Sequence, residues 1–325
     1  MVDLLKYRLP GKEIVTKWGQ FGVLDDKPPK KETFVVSKHD KSVIYGFEED
    51  DSQPPVPMHL LKLAPYVCSK KEYLMGGESM LNSFRLFGVQ KAVYSRIKTV
   101  SFEDTKSIEL FESLCEQYPS AFVYLISCTY FGTWIGASPE VLLSMHGKQG
   151  YTMALAGTRN GVSSENNWGD KDKTEQKFVT DYIEEKLKGF ELTNIEMHGP
   201  YEIEAGPVKH LRTDFSFFAE DKTALDIAQL LHPTPAVVGV PEKETMDLLA
   251  TVEPHDRMLY TGFLGLLGPE HTNLYVNLRC CQIQEGKAFL YLGGGYTQAS
   301  IPEMEWEETE NKAMTLIKAI DKIKG

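Results

Sequence analysis

The 325-residue sequence predicts an α+β fold built on antiparallel sheets. Strand-like segments follow one another in consecutive runs instead of alternating strictly with helices, which argues against a Rossmann fold. Segments with helical periodicity interrupt those runs. Apolar residues make up 42% of the chain and charged residues 25%, so a disordered or fibrous protein is excluded.

The elements follow from local patterns in chain order. Runs rich in β-branched and aromatic residues predict strands at 34–47, 88–102, 121–128, 134–145, 150–158, 206–220, 260–268, 273–283 and 288–296. Apolar spacing of three and four residues predicts helices at 104–117, 171–190, 223–232, 242–253 and 302–323. The polar loop at 159–170 is a candidate lid. No linker-like stretch follows residue 60, so the sequence predicts one domain over 1–325.

Charge and cysteine usage narrow the class of protein. A formal charge of -11 disfavours nucleic acid and anionic membranes as partners, because both require a basic face. No apolar run reaches membrane-spanning length, and the N-terminus lacks the apolar core of a signal peptide. The five cysteines form no CxxC motif and are expected to fill the core. We therefore expect a cytoplasmic protein.

Familiar nucleotide and hydrolase motifs are absent from the sequence. It contains no P-loop, GxSxG elbow or HExxH. The run Gly293, Gly294 and Gly295 follows a strand but lacks the GxGxxG spacing. A close approach of the backbone to a ligand or neighbour explains these glycines better.

Two helices each carry a pair of acids three residues apart. Asp172 and Glu175 begin the middle helix, and Glu305 and Glu308 begin the last one. Together these carboxylates suit a hard dication such as Mg²⁺. A solvated acidic face is the alternative, since acids in a first helical turn also favour the helix dipole.

Four further residues are candidates for acid–base chemistry or binding. Glu140 in GASPEVLL is a candidate buried acid, and Lys91 in a strand-like stretch is a candidate base if it points inward. Arg279 lies in an apolar segment and needs a fixed anion, either structural or from a substrate. His232 ends a helix, where a structural role and ligand binding are both open.

These pieces together resemble the chorismate-utilising enzymes, and within them isochorismate synthase. The resemblance rests on KAVYSR, GASPEVLL, ALAGTR, the K-x-x-x-EQ segment at 171–176, LLHPTPAVVGVP, YTGFLG, NLRCC and GGGYTQASIPEMEWEETENK. The motifs cover roughly residues 85–315, whereas residues 1–80 match only loosely. The resemblance implies two large antiparallel sheets packed together with helices outside, and a monomer.

The resemblance also implies a role for each matching position. Lys91 would activate water for attack at C2 of chorismate, and Glu140 would protonate the departing C4 hydroxyl. Mg²⁺ would bind Glu175 and Glu308, with Asp172 and Glu305 as further ligands or water holders. Substrate contacts are implied for Thr158, His232, Tyr260, Arg279, Lys312 and the backbone at Gly293, Gly294 and Gly295.

Sibling activities are separated by single positions. Relatives that aminate chorismate at C4 resemble a P-I-K-G-T pattern, but Ala156 stands at that lysine's place. Anthranilate synthases lack a counterpart of Lys91, whose presence favours water as nucleophile. Salicylate synthase, which adds pyruvate elimination, shares these motifs and stays open, as does a non-catalytic chorismate-binding protein. Departures from the family pattern are Asp172 for Glu, Gln176 for His, Val238 for Cys, and GGGY for GAGI.

Overall fold

The computed structural model describes residues 2–25, 27–50, 58–61, 63–160, 168–205 and 208–324, with the backbone alone at 158–160, 205 and 208. Within these ranges the strands are β1 Asp3–Arg8, β2 Val15–Val23, β3 Thr33–Ser37, β4 Ile44–Glu49, β5 Lys91–Ser101, β6 Phe122–Cys128, β7 Gly132–Ser138, β8 Val141–His146, β9 Gln149–Asn160, β10 Thr193–Ala205, β11 Val208–Phe218, β12 Gly239–Val240, β13 Phe263–Leu267, β14 His271–Val276, β15 Cys280–Gln284 and β16 Lys287–Thr297. The helices are α1 Lys70–Phe87, α2 Ser107–Gln117, α3 Asp170–Gly189, α4 Ala224–Leu231, α5 Glu242–Val252 and α6 Pro302–Lys324.

All the described strands join one antiparallel ladder that folds back on itself. Its order is β10-β11-β9-β8-β14-β13-β3-β4-β2-β1-β6-β7-β15-β16-β5-β12. Phe122 on β6 stacks on Tyr275 of β14 with ring centroids 4.4 Å apart, although five strands separate β6 from β14 in that order. The two halves of the ladder are therefore packed face to face, which confirms the predicted α+β architecture of packed antiparallel sheets.

Apolar side chains fill the space between these layers and beneath the helices. On β6, Phe122, Tyr124 and Ile126 face the aromatic core between the layers, while Val123 and Leu125 face α2 and α6. The other layer is covered by α3 and α4. Because both faces of β6 are buried, its sequence is a continuous apolar run and shows no alternation.

Three predicted strands are each divided in the structure. The segment 34–47 forms β3 and β4, which pair with each other. The segment 134–145 forms β7 and β8, because β7 pairs with β6 and β15 whereas β8 pairs with β14 and β9. The segment 273–283 likewise forms β14 and β15.

Arg279 lies at the junction between β14 and β15. Its φ of 49° is outside the extended region that a strand requires. The prediction that Arg279 lies within a strand is therefore wrong, and the junction places it just before β15.

Some elements were not predicted from the sequence. β1, β2, β10 and α1 are present in the structure, and α1 begins at a capping box in which Ser69 and Glu72 bond reciprocally to each other's backbone. All five cysteines are free and buried, as expected for core residues. Among the described residues, no helix is both long and apolar enough to cross a membrane.

Candidate active site

A cleft opens where β5 and β16 meet α3, α6 and the junctions after β7 and β14. Its empty volume is about 690 Å³, space open to solvent included. Its walls include acidic, basic and aromatic side chains, namely Glu140, Glu175, His210, Tyr260, Arg279, Tyr291 and Lys312. The mixture of opposite charges favours a polar, charged ligand over an apolar one.

Lys91 is the first residue of β5 and is fully buried. Side chains two residues apart share one face of a strand, so Lys91 shares the face of Val93, which lines the cleft. The Lys91 Nζ lies 2.8 Å from Glu175 Oε1. The lysine therefore points inward, as a catalytic base requires, and it is held in an ion pair.

Glu140 lies between β7 and β8, immediately after Pro139, and is 2% exposed. Its backbone is fixed because its carbonyl accepts a hydrogen bond from Val276 N at 3.0 Å. Burial raises the pKa of Glu140 to about 8, although the charges of Lys91, Arg279 and Lys312 oppose that rise. Near neutral pH the carboxyl therefore keeps its proton and can donate it to a bound ligand.

Arg279 presents a guanidinium to the cleft and contacts His210. Its Nη2 lies 3.4 Å from His210 Nε2, while His210 Nδ1 lies 2.9 Å from the carbonyl oxygen of Gly157. Burial and the charge of Arg279 lower the pKa of His210 to about 3. A neutral ring that donates from Nδ1 and accepts at Nε2 satisfies both contacts. Among the described residues, the buried Nη1 of Arg279 has no hydrogen-bond partner, so it can bind an anion.

Lys312 and Tyr260 flank the glycines of β16. Lys312 donates to the carbonyl oxygen of Gly293 at 2.9 Å and forms an ion pair with Glu308 at 2.6 Å, one turn earlier on α6. A Cβ at Gly293 would lie 2.8 Å from the Tyr260 hydroxyl. The absence of a side chain at Gly293 therefore lets the strand approach Tyr260 closely.

Glu175 projects from α3 toward β16. A Cβ at Gly295 would lie 2.2 Å from Glu175 Oε1, so this glycine makes room for the carboxylate. Burial opposes ionisation of Glu175, but the charges of Lys91, Lys171 and Lys312 hold its pKa below the usual value. Glu175 is therefore a partly buried anion near three lysines.

The neighbouring Gln176 fixes the position of this part of α3. Its Oε1 accepts from Ala156 N at 2.9 Å, and its Nε2 donates to Ala154 O at 3.2 Å and to Thr213 Oγ1 at 3.1 Å. Gln176 is 2% exposed, so these bonds replace water. The amide thereby ties α3 to β9 and β11.

Glu305 and Glu308 project from the first two turns of α6. Glu305 Oε1 is paired with Lys171, while its second oxygen, Oε2, is buried and makes no hydrogen bond to any described residue. Burial and the charge of Glu308 raise the pKa of Glu305, and Lys171 and the nearby Ser300 hydroxyl oppose that rise. The two carboxylates are thus close enough to repel each other, and an added cation would relieve that repulsion.

The donor chemistry at this end of the cleft fits Mg²⁺. Carboxylate oxygens are among the ligands that Mg²⁺ prefers, and Glu305 Oε2 is a buried oxygen that lacks a hydrogen-bond partner within the described ranges. Among the described residues, however, no three His, Cys, Asp or Glu side chains stand together in a metal-binding arrangement. Glu175, Glu305 and Glu308 are each paired with a lysine instead.

The structure brings most of the sequence-predicted residues together. The cleft is lined by Glu140, Glu175, Tyr260, Arg279, Gly293, Gly295 and Lys312. Lys91 and Glu308 join this group through ion pairs with Glu175 and Lys312, and Glu305 lies nearby, paired with Lys171 and close to Glu308. In the first turn of α3, Asp172 Cβ would lie 3.2 Å from a Cβ placed on Gly157, which lines the cleft.

Other predicted positions lie elsewhere. Gly294 faces α6, where an added Cβ would lie 3.4 Å from Glu305 Cβ. His232 is fully buried beside Phe263, with Nε2 3.2 Å from His39 O, and it does not line the described cleft. The Thr158 side chain and most of the predicted lid, at 161–167, lie outside the described residues.

Sequence reasoning missed His210 and Lys171. His210 lies in a strand that pairs with β9, and the sequence offers no sign that β11 borders the cleft. Lys171 did carry a signal, because it precedes Asp172 in the acid-bearing first turn of α3.

Comparison with known proteins identifies one family. The profile of the family described as "Chorismate binding enzyme" matches residues 31–321. Isochorismate synthase EntC of Escherichia coli is 32% identical over 244 residues, which is 70% of this chain and 62% of that protein. The match thus spans less than two thirds of this relative's length.

Two solved structures share the fold. MenF, the menaquinone-specific isochorismate synthase from Escherichia coli, superposes with a TM-score of 0.80 at 19% identity, covering 98% of this chain and 88% of that one. Anthranilate synthase component I from Streptococcus pneumoniae superposes with a TM-score of 0.72 at 15% identity, covering 97% and 91%. At these identities the likeness concerns the fold, which enzymes of different named activities share.

Proposed function

The chain belongs to the chorismate binding enzyme family, and on that basis we propose that it is an isochorismate synthase. The reaction adds water at C2 of chorismate and releases the C4 hydroxyl as water, so the product is an isomer of the substrate. One observation carries this proposal. The same cleft has a carboxyl that keeps its proton, Glu140, and an inward-pointing amine, Lys91, close enough to influence the pKa of Glu140.

The acid and the base have separate tasks. Glu140 donates its proton to the C4 hydroxyl, because a hydroxyl leaves far more readily as water. Lys91 takes a proton from the water that attacks C2. In the resting site Lys91 is paired with Glu175 at 2.8 Å. An ion pair contains the lysine in its protonated form, so Lys91 has to separate from Glu175 and release that proton to solvent before its amine can accept one from the attacking water.

The carboxylates of chorismate need fixed positive charge in an otherwise acidic protein. Arg279 offers a buried guanidinium nitrogen that no described residue hydrogen-bonds, and Lys312 also lines the cleft. Tyr260 adds a hydroxyl donor beside Gly293. We assign these three side chains to the enolpyruvyl carboxylate, since charge-assisted hydrogen bonds give both affinity and orientation.

We propose Mg²⁺ as the cofactor, held by Glu175 and Glu308 with Asp172 and Glu305 as further ligands or water holders. When bound, it would neutralise the ring carboxylate of the substrate. The acids alone would repel such a carboxylate. Ion pairs with lysines hold Glu175, Glu305 and Glu308 in the resting site.

One residue of the cleft wall, Ala156, distinguishes this chain from the relatives that aminate chorismate at C4. Ala156 lines the cleft at the place where the pattern of relatives that aminate C4 has a lysine. A methyl group cannot attack the ring, so the cleft favours water over an amine nucleophile there. The pathway that consumes the product, menaquinone or siderophore, is left open by these residues.

The experiment is to incubate the purified protein with chorismate and Mg²⁺ and identify the products by chromatography and mass spectrometry. We expect a product of the same mass as chorismate. Its formation should stop when EDTA is added and resume with excess Mg²⁺. Salicylate with pyruvate would reassign the protein to salicylate synthase. Unreacted chorismate at every Mg²⁺ concentration would refute the proposal.

A further inference from the structure

Lys171, the second residue of α3, places its ammonium among the acids proposed to hold Mg²⁺. Its Nζ forms an ion pair with Glu305 Oε1. Burial lowers the pKa of Lys171, but the negative charges of Glu305, Glu308 and Glu175 outweigh burial and raise it. The ammonium is therefore within electrostatic reach of acids from both α3 and α6.

Three lysines are paired with three of the acids at this end of the cleft. Lys91 pairs with Glu175, Lys312 with Glu308 and Lys171 with Glu305. The proposed mechanism uses Lys91 and Lys312, whereas it gives Lys171 no task. A dication entering beside Glu305 would meet a like charge at close range.

Two further observations explain how a metal ion could displace the Lys171 ammonium from Glu305. Glu305 Oε2 is buried and has no hydrogen-bond partner in the part of the chain that the structure describes, so one ammonium leaves this carboxylate incompletely satisfied. The Lys171 side chain is 33% exposed, whereas that of Glu305 is 2% exposed. The long lysine can therefore swing toward solvent while the carboxylate stays.

We propose that Lys171 is an internal competitor of Mg²⁺, whose ammonium holds Glu305 and Glu308 together in the resting protein and leaves when the dication binds. This inference rests on the metal site of the proposed function. It explains why Glu305 is paired with a lysine, and why the described acids do not converge on a common metal-binding position in the resting protein. Lys171 is on this account a positioning residue that lowers metal affinity and stabilises the resting site.

The test measures metal binding without substrate. Mn²⁺ replaces Mg²⁺, and free Mn²⁺ is read by electron paramagnetic resonance in wild type and Lys171→Met. We expect Lys171→Met to bind Mn²⁺ at least about tenfold more tightly, because a like charge is gone. In EDTA it should unfold at a lower temperature than wild type, and Mn²⁺ should raise that temperature further than it does for wild type.

Lys177→Met is the matched control, since Lys177 lies on the same helix, is exposed and pairs with Asp181. It removes the same charge from the chain and should leave Mn²⁺ affinity unchanged. Should Lys171→Met fail to fold, Lys171→Gln, which can still donate a hydrogen bond to Glu305, carries the same test.

Unchanged or weaker Mn²⁺ binding in the Lys171 variants would overturn the inference. So would the absence of Mn²⁺ binding in both wild type and variants, because there would be nothing to compete with. Neither result bears on product formation from chorismate, which the assay of the proposed function decides. Conversely, a protein that binds Mn²⁺ as expected but leaves chorismate unchanged would refute the function alone.

Discussion

Replacement of Glu140 by Gln tests both the proposed acid and the physical cause of its protonation. Gln keeps the size of the side chain and removes only the ionisable proton. General acid catalysis typically contributes about 10²–10⁴-fold, so kcat/KM of Glu140→Gln should fall by roughly that factor. The wild-type kcat/KM should itself fall as pH rises through about 8, where Glu140 loses its proton.

The same substitution should stabilise the fold at high pH. Burial raises the pKa of Glu140 from 4.5 to about 8, so ionisation opposes folding. At about 1.4 kcal/mol per pKa unit, the penalty on the charged form reaches at most about 5 kcal/mol. Below about pH 4.5 the carboxyl is neutral in both states and there is no penalty. The penalty grows between pH 4.5 and 8 and is constant above.

The penalty can be measured by thermal unfolding of Glu140→Gln and wild type at about pH 6 and about pH 9, which lie on either side of the Glu140 pKa. The variant should gain several degrees over wild type at the higher pH and less at the lower, while its kcat/KM stays low at both. Glu78→Gln, at an exposed position on α1, is the control and should change neither quantity. Equal unfolding temperatures at the higher pH would refute the burial argument, and near-normal turnover would refute the role of Glu140 as acid.

Three further predictions concern the lysine–acid pairs and the glycines. Lys91→Met should abolish turnover and lower the free energy of unfolding by up to about 3–5 kcal/mol, because it leaves the partly buried Glu175 carboxylate without its ion-pair partner. The double variant with Glu175→Gln should regain stability in urea unfolding but not activity, and recovery of activity would discard Lys91 as the base. Gly295→Ala should reduce kcat/KM by about tenfold or more, since its Cβ would lie 2.2 Å from Glu175 Oε1. Gly189→Ala is the control, because Gly189 ends α3, the helix that carries Glu175, and has open space around it; its kcat/KM should stay close to wild type. Equal losses of kcat/KM in the two glycine variants would contradict the placement of Glu175. Glu308→Gln should raise the Mg²⁺ concentration for half-maximal activity by about tenfold or more, because Mg²⁺ affinity depends on charged oxygen ligands. An unchanged Mg²⁺ titration would remove Glu308 from the ligand set.

The predictability of the fold differed between segments for a physical reason. β6 was recognisable because both of its faces are buried and its sequence is one apolar run. α1 was not, because its buried positions, Tyr73, Gly77, Met80 and Phe84, include a glycine that packs on the Tyr296 ring. Such a position has no apolar side chain to mark it, so periodicity misses it.

Residue types and the local elements that carry them can be read from the chain alone. Glu140 after a proline, Glu175 and Glu308 in the first two turns of helices, and Lys91 in a strand-like stretch were all identifiable there. Local spacing also placed Lys312 one turn after Glu308, where the structure finds the two in an ion pair.

Packing of the whole chain determines which of these groups face each other and in what charge state. Lys91 on β5 and Glu175 on α3 are distant in sequence, yet they form a buried ion pair. His210 reaches Arg279 from β11, a strand whose sequence gave no sign that it borders the cleft, and Lys171 on α3 reaches an acid on α6. The pKa of Glu140 depends on how completely the surrounding layers exclude water, which no local pattern encodes. Burial and long-range charge are properties of the packed chain, and they turn ordinary acids and lysines into a candidate site.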